Sequence, residues 1–257
     1  MKSTGSKYKF AEWKKFNGHT LHRIVRISDG KSGGFIEKEK NLSQEGNCWV
    51  EASCYVYGDA KVSGNAQVST DSIICDAAEV SGNAKLWAAE VSGNAKISDN
   101  ADVSQCRIFG NAKISGNAKV AGGVTHACKI GGNVEIYDDA AVYTVYAGDN
   151  VKIYGNAKVT QSTLNEDVQV YGQAKVTNVE LGSKTQICGN AEINENTILL
   201  NDKKVYANIV ISDNNIYDTT NKVMNNTLID CITKIDESST FKVISEEEPN
   251  VFALTAD

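Results

Sequence analysis

The sequence predicts an all-β fold, a single-stranded parallel β-helix of about nine triangular coils with roughly 17–18 residues in each coil. Three observations support this. An aliphatic residue recurs about every six positions between residues 48 and 198, and a small residue follows most of them four positions later. A Gly-Asn pair precedes the small residue in the closest copies, Val62–Ala66, Val80–Ala84, Val91–Ala95, Ile114–Ala118 and Ile153–Ala157. Self-similarity at a fixed short period is the signature of a solenoid.

Each six-residue unit is long enough for one short strand and one turn, but not for a pair of helices. The aliphatic residue points inward from the strand, and the small residue points inward at the corner. Gly and Asn tolerate positive φ, so the Gly-Asn pair is expected to form the turn. Three units then close one triangular coil.

The spacing of equivalent aliphatic residues gives the coil length. Val80, Ile97 and Ile114 mark one constant period, whereas the earlier Val50 and Val68 mark a period that is one residue longer. The glycine-rich stretch Ala121–Cys128 is the one irregularity that we find in this ladder.

The hexads resemble the left-handed β-helix of the hexapeptide-repeat proteins. A narrower likeness is carried by Gly33–Ser43 and Gly46–Val50, with Leu21–Ile24 upstream. These segments are similar to a bacterial and prophage-encoded β-helix family of unassigned function, over about residues 8–198. The resemblance implies a left-handed coil and a phage or prophage origin. Right-handed, bactofilin-like solenoids also have short triangular coils and stay open as the rival.

The chain divides into three predicted parts: an N-terminal cap at 1–47, the solenoid at 48–198 and a C-terminal extension at 199–257. Residues 1–46 carry a net charge of +5, and two strands joined at Asn17-Gly18 are expected there. An open solenoid end exposes unpaired backbone, so capping is the favoured role. The strand-rich extension is a second cap, a lid or an oligomerisation element.

Composition excludes several classes of protein. The chain has no apolar run of transmembrane length and no apolar signal core, so we expect a protein of the bacterial host cytosol that binds no membrane. Its seven cysteines show no CxxC pair and no spacing typical of metal sites, and we expect neither a metal nor a cofactor. Cys48, Cys54 and Cys128 occupy small inward positions, where we expect buried, reduced thiols.

His126 is the candidate catalytic residue. It is the only histidine between residues 48 and 198, and it lies in the irregular stretch. Hexapeptide-repeat acyltransferases use one histidine as the general base on a hydroxyl or amine acceptor. However, the sequence shows no long inserted loop to shape a pocket, so the favoured prediction has no catalytic residue.

Two outward-facing sets are candidate binding surfaces. Tyr137, Tyr154 and Tyr171 recur at the spacing of one coil, and with Trp87 they are predicted to form an aromatic face. Lys96, Lys113 and Lys129 are predicted to form a second column, a stripe for an anion or an acidic partner. Structural stacking and solvated lysines are the simpler alternatives.

The favoured function is therefore non-enzymatic binding. The rod would present flat faces to a protein partner, as an inhibitor of a host system, or to its own copies in a homo-oligomer. Acyl transfer by His126 is the first alternative, and mimicry of nucleic acid by the acidic solenoid is the second. Direct binding of nucleic acid is disfavoured because the solenoid carries a net charge of −6.

Overall fold

The computed structural model describes residues 6–123 and 128–194, residues 203–205, and the backbone of further short strands as far as residue 253. It forms two compact units, Met1–Asn133 and Val134–Asp257. Apart from a single 3-10 turn at Glu39–Asn41, the elements in these described ranges are all strands. The all-β prediction is confirmed.

The first unit contains three stacks of short parallel strands. The first stack begins with three antiparallel strands, Tyr8–Phe16, His19–Arg26 and Ser32–Ile36. It continues with the parallel strands Tyr55–Val56, Ile73–Ile74, Glu90–Val91, Cys106–Ile108 and Cys128–Ile130. The second consists of Lys61–Val62, Glu79–Val80, Lys96–Ile97 and Lys113–Ile114. The third consists of Trp49–Val50, Gln67–Ser69, Lys85–Trp87, Asp102–Ser104 and Lys119–Ala121. The chain visits the three stacks in turn, as a triangular coil requires.

The second unit repeats this arrangement. One stack consists of Tyr146–Ala147, Thr163–Leu164, Glu180–Leu181 and Ile198–Leu199, and another of Glu135–Ile136, Lys152–Ile153, Gln169–Val170, Gln186–Ile187 and Lys204–Val205. The last consists of Ala141–Tyr143, Lys158–Thr160, Lys175–Thr177, Glu192–Ile193 and Ile209–Ser212. Three further strands extend it with mixed pairing: Asn215–Asp218, Lys242–Ile244 and Phe252–Ala253. About nine turns are present in all, and the left-handed sense stays a prediction.

The observed pairing has the coil lengths that the aliphatic spacing predicts. Val50 pairs with Val68 in the early coils, where equivalent residues are 18 positions apart. Val80 pairs with Ile97 in the following coils, where the separation is 17. The second unit keeps the shorter register, in which Ile136 pairs with Ile153. The inward aliphatic side chains are buried and form the core of each coil, as in Val56, Val62, Ile74, Leu86, Val103, Ile108, Ile114, Val142, Val159, Leu164, Val170 and Ile187.

The Gly-Asn pairs form the corner turns, as predicted, and within each pair only the glycine takes positive φ. Gly64 has a φ of 67°, and a Cβ on it would lie 2.9 Å from the backbone of Gly82 in the next coil. Asn65 is not among the residues with positive φ. Its side-chain amide instead donates to Asn83 at 2.9 Å, and Asn83 donates to Asn100 at 2.9 Å. The asparagines therefore form ladders of hydrogen bonds along the corner.

The N-terminal segment pairs with and packs against the first coil, and its role as a cap stays a prediction. Asn17 and Gly18 form the predicted hairpin turn with positive φ, and Leu21 and Ile24 are fully buried. A Cβ on Gly34 would lie 2.6 Å from two carbonyl oxygens of the first coil, which explains why this motif needs glycine. The boundary between the two units falls inside the predicted solenoid, and the predicted division at residues 47 and 198 stays a prediction.

We expect Ile97→Ala to lower the free energy of unfolding by about 2–5 kcal/mol, because it leaves a cavity in a closely packed coil. Ile97 is fully buried. Urea denaturation followed by circular dichroism measures the change. The neighbouring Ser98→Ala is the control and should change stability by less than about 0.5 kcal/mol; equal effects of the two substitutions would contradict the buried position of Ile97.

Candidate functional site

A cavity of about 480 Å³ opens at one corner of the first unit. Three of its lining residues, Asp71, Ala88 and Gln105, belong to the corner turns of successive coils. All three have positive φ, at 53°, 49° and 48°. The same conformation recurs in the second unit at Thr144, Gln161 and Asn178, so it belongs to the repeat and does not by itself mark this corner as a functional site.

An ion pair crosses two strands at the edge of this cavity. Glu90 and Arg107 are cross-strand partners, and both line the cavity. Arg107 donates from Nε to Glu90 Oε2 at 2.9 Å and from Nη2 to Oε1 at 3.0 Å. The two side chains are 59% and 39% exposed, so the pair adds little to stability. Its bidentate geometry holds the guanidinium in place, with N–H groups left over for a ligand.

A second cavity, of about 570 Å³, lies beside the N-terminal cap. Its cationic side chains are already engaged by the protein. Lys7 Nζ donates to the carbonyl oxygen of Cys48 at 3.1 Å, and Arg26 pairs with Asp29 at 3.1 Å and stacks over Trp49. Because Arg107 is paired in the same way, charge does not distinguish the two cavities, and the corner cavity is the candidate site because it lies at the change in coil length.

The corner cavity lies where the coil length changes. Ile108 pairs with Ile130, and equivalent residues of these two coils are 22 positions apart rather than 17, so this coil holds five extra residues. Gly122 is locked at one end of the insertion, since its N–H donates to the Ser104 carbonyl at 2.8 Å and a Cβ on it would collide with the Gln105 carbonyl oxygen. The wider spacing between Gly110-Asn111 and Gly132-Asn133 is the sequence signal that could have revealed the insertion.

The insertion also creates a disulfide. In a coil of the ordinary length Cys106 would pair with Gly123, but the observed register pairs it with Cys128. Their Cα atoms lie 4.6 Å apart, and the two cysteines are bonded. The expectation of a reduced Cys128 is corrected by this register. Cys48 and Cys54 are buried free thiols, as expected, and burial raises the pKa of Cys54 to about 11.

His126 lies outside the described residues. In the sequence it stands between Gly123 and Cys128, and both of these line the cavity. The other two histidines have partners in the cap. His19 Nδ1 lies 3.2 Å from a carboxylate oxygen of Glu37, and the ring of His22 stacks on Phe10 with centroids 5.0 Å apart.

The three tyrosines form the expected stack. The rings of Tyr137 and Tyr154 are 5.0 Å apart at an angle of 4°, and those of Tyr154 and Tyr171 are 4.9 Å apart at 1°. All three side chains are half-buried. A hydrogen bond with Cys188 and, to a smaller extent, burial of the side chain raise the pKa of Tyr171 to about 12. Their role as a binding surface stays a proposal.

Trp87 is not part of this stack. Its strand partners are Ser69 and Ser104, whereas the three tyrosines each follow a strand of a different sheet. Counting hexads through the insertion as if the coil were regular placed these residues in one column. Trp87 is an exposed aromatic residue, with 44% of its surface accessible.

The lysine column is likewise shorter than predicted. Lys96 and Lys113 are cross-strand neighbours, but Lys129 lies in another stack beside Arg107. Glu79 lies 3.2 Å from Lys96 and partly neutralises it. A continuous stripe of three lysines is therefore absent from this described surface.

No group of three or more His, Cys, Asp or Glu side chains suited to a metal ion occurs among the residues with described positions. In the same part of the chain, no helix has the length and apolar character needed to span a membrane.

No protein-family model matches the chain. Over 91 residues it is 30% identical to the uncharacterized acetyltransferase YdcK of Escherichia coli K12, a match that covers 33% of this chain and 24% of that protein. The chain thus spans about a quarter of this curated relative. Among solved structures it is similar to LpxA from Acinetobacter baumannii, with a TM-score of 0.38, 15% identity and coverage of 77% and 80% of the two chains. It is also similar to UDP-N-acetylglucosamine O-acyltransferase (LpxA) from Moraxella catarrhalis, with a TM-score of 0.32, 14% identity and coverage of 68% and 67%.

The acetyltransferase relative contradicts the prediction of a non-enzymatic binding protein, and that prediction is wrong. The sequence argument against catalysis was the lack of an inserted loop beside a pocket. The lengthened coil removes that argument, because it holds five extra residues, and Gly123 and Cys128 from this stretch line the cavity.

We expect Gly122→Ala to destabilise the first unit, because its Cβ would overlap the Gln105 carbonyl oxygen and the backbone would have to shift. Overpacking of this kind costs about 1–3 kcal/mol. Thermal denaturation measures the loss. Gly148→Ala is the matched control, since its Cβ would meet no atom closer than 3.9 Å, and it should be neutral. A fully stable Gly122→Ala protein would contradict the close approach of the two turns.

We expect Cys188→Ala to lower the pKa of Tyr171 from about 12 toward the ordinary value of about 10, because the substitution removes the hydrogen bond. A raised folded-state pKa means that Tyr171 stabilises the fold below pH about 10, and that this contribution is lost as the pH rises through about 12. Tyrosinate absorbance during an alkaline titration measures the shift. The Tyr171→Phe variant should lack the ionisation step near pH 12 that the wild-type titration shows. A Tyr171→Phe titration curve identical to that of the wild type would contradict the assignment of this step to Tyr171.

Proposed function

We propose that this protein is an acyltransferase that moves an acyl group from an acyl thioester to a hydroxyl or amine acceptor. The observation that carries the proposal is the 30% identity with an acetyltransferase over 91 residues. The repeat architecture is in keeping with it, since the hexads resemble those of hexapeptide-repeat acyltransferases.

The corner cavity is the proposed site. It combines an open volume of about 480 Å³, a fixed guanidinium and an insertion in an otherwise regular coil. Ligand sites are usually concave, with a few polar groups that converge on the ligand. Arg107 and Gln105 are the donors that would orient the thioester or the acceptor there.

We further propose His126 as the general base. It would accept a proton from the hydroxyl or amine of the acceptor as that group attacks the thioester carbonyl carbon. The carbonyl then reforms as the carbon–sulfur bond breaks, and the thiolate that leaves takes up a proton. The support is the position of His126 in the sequence, between two residues that line the cavity.

The full-length protein should transfer acyl groups from short-chain acyl-CoA, measured as thiol release with a panel of amino sugars, nucleotide sugars and amines. A general base contributes about 10²–10⁴-fold to the rate, so His126→Ala should lower kcat by that factor. Mass spectrometry of the acceptor identifies the product.

His22→Ala is the matched control, because it removes a histidine of the cap and should leave kcat unchanged. Equal activity of wild type and His126→Ala would refute the role of His126. The absence of acyl transfer from every donor and acceptor in the panel would count against the proposed function itself.

Three narrower predictions also stay proposals. They are a phage or prophage origin, a place in the bacterial host cytosol, and self-association through the face of Tyr137, Tyr154 and Tyr171. Stacked aromatic rings that are half-buried leave apolar edges suited to contact with a second copy.

A further inference from the structure

The Cys106–Cys128 disulfide differs in its surroundings from the other cysteines with described positions. Both of its residues are buried, with 3% and 0% of their surface exposed, and both border the corner cavity, so that cavity is the route by which a small thiol or disulfide would reach the bond. Cys48, Cys54 and Cys75 are buried free thiols that line no part of this cavity. Burial also raises the pKa of Cys54 to about 11 and that of Cys75 above its usual value, which suppresses their reactive thiolates.

The disulfide is not needed to align the strands that it joins. Strands Cys106–Ile108 and Cys128–Ile130 are already paired in register, and Phe109 N–H donates to the Ile130 carbonyl at 3.0 Å. Asn111 also donates to Asn133 at 3.0 Å in the following turn. A cross-link between strands that are held together independently can open without unfolding the coil.

We propose that Cys106 and Cys128 form a thiol–disulfide exchange site for low-molecular-weight thiols, and that the state of this pair sets the shape of the cavity. The part of the proposal that concerns the cavity rests on the acyltransferase function proposed above. The exchange chemistry itself does not depend on it.

The chemistry balances with a small disulfide such as oxidised glutathione. One cysteine thiolate attacks a glutathione sulfur and releases one glutathione thiolate, which leaves a mixed disulfide. The second cysteine thiolate attacks the protein sulfur of that mixed disulfide and releases the other glutathione. Two electrons pass from the cysteine pair to the glutathione disulfide, and the two thiol protons end on the released glutathiones. Reduction is the reverse reaction.

The link to the cavity is geometric. Cys106 follows Gln105 and precedes Arg107, so the disulfide joins the wall that carries the guanidinium to the end of the insertion. Two separate thiols must stay at van der Waals distance from each other, whereas bonded sulfur atoms lie at about 2 Å. Reduction therefore separates the two sulfur atoms, by rotation of the side chains or by movement of the strands, and so changes the surface that the pair presents to the cavity.

The first experiment equilibrates the folded full-length protein in glutathione buffers of graded potential and traps free thiols with an alkylating reagent. Mass spectrometry of the peptides then reports each cysteine. We expect Cys106 and Cys128 to become alkylated together as the buffer becomes more reducing, while Cys54 and Cys75 stay unmodified throughout. Alkylation of the pair at every potential, or at none, would overturn the proposal.

The second experiment follows amide hydrogen exchange of strands Cys106–Ile108 and Cys128–Ile130 in the oxidised and reduced protein. We expect faster exchange in the reduced form, and no change in strand Lys152–Ile153 of the second unit. The double variant Cys106→Ala/Cys128→Ala keeps small residues at both positions and should exchange like the reduced protein in either buffer. Redox-dependent exchange in that variant, or identical exchange in both forms of the wild type, would count against the coupling.

Neither experiment requires turnover, so failure of the acyltransferase proposal would not be mistaken for failure of the exchange site. If acyl transfer is found, its KM should differ between the oxidised and reduced wild type and be insensitive to the buffer in the double variant. A redox-independent KM in the wild type would reject control of the cavity.

Discussion

Backbone hydrogen bonding between equivalent residues of successive coils is the interaction on which each unit depends. In the described coils, backbone N–H and carbonyl groups form hydrogen bonds with those of the neighbouring coils. Each strand residue therefore pairs with the equivalent residue of the next coil. This matching places aliphatic side chains above one another in the core. It also places outward side chains at equivalent positions above one another in a column, as in the tyrosine stack and the asparagine ladders.

The same constraint explains why the corner cavity occurs where it does. Backbone pairing is in register on both sides of the insertion, although this coil is five residues longer than its neighbours. The corner turns already hold residues such as Ala88 and Gln105 at positive φ. The disulfide follows from this local change in coil length, whereas the Glu90–Arg107 pair beside it spans two coils of ordinary length.

Much of the fold was predictable because a six-residue period has few structural solutions. The inward aliphatic residues, the hairpin at Asn17-Gly18 and the two regular coil lengths are all found in the structure. The site was much less predictable. The repeat period predicts only the features that recur, whereas the site lies at the lengthened coil, where the period changes. The pairing of Cys106 with Cys128 depends on the number of extra residues in that coil. The prediction that Trp87 shares a column with the tyrosines is wrong for the same reason, because it assumed a coil of ordinary length across the insertion.

The unequal coil lengths show how such a chain can diversify. Coils of three different lengths occur within the first unit, and each next strand still meets its partner in register. A gain or loss of residues at this corner thus leaves the hydrophobic interior untouched and alters only what the surface offers to small molecules. Selection can therefore change the corner by insertion and deletion as well as by substitution, while the paired strands of the coil change very little.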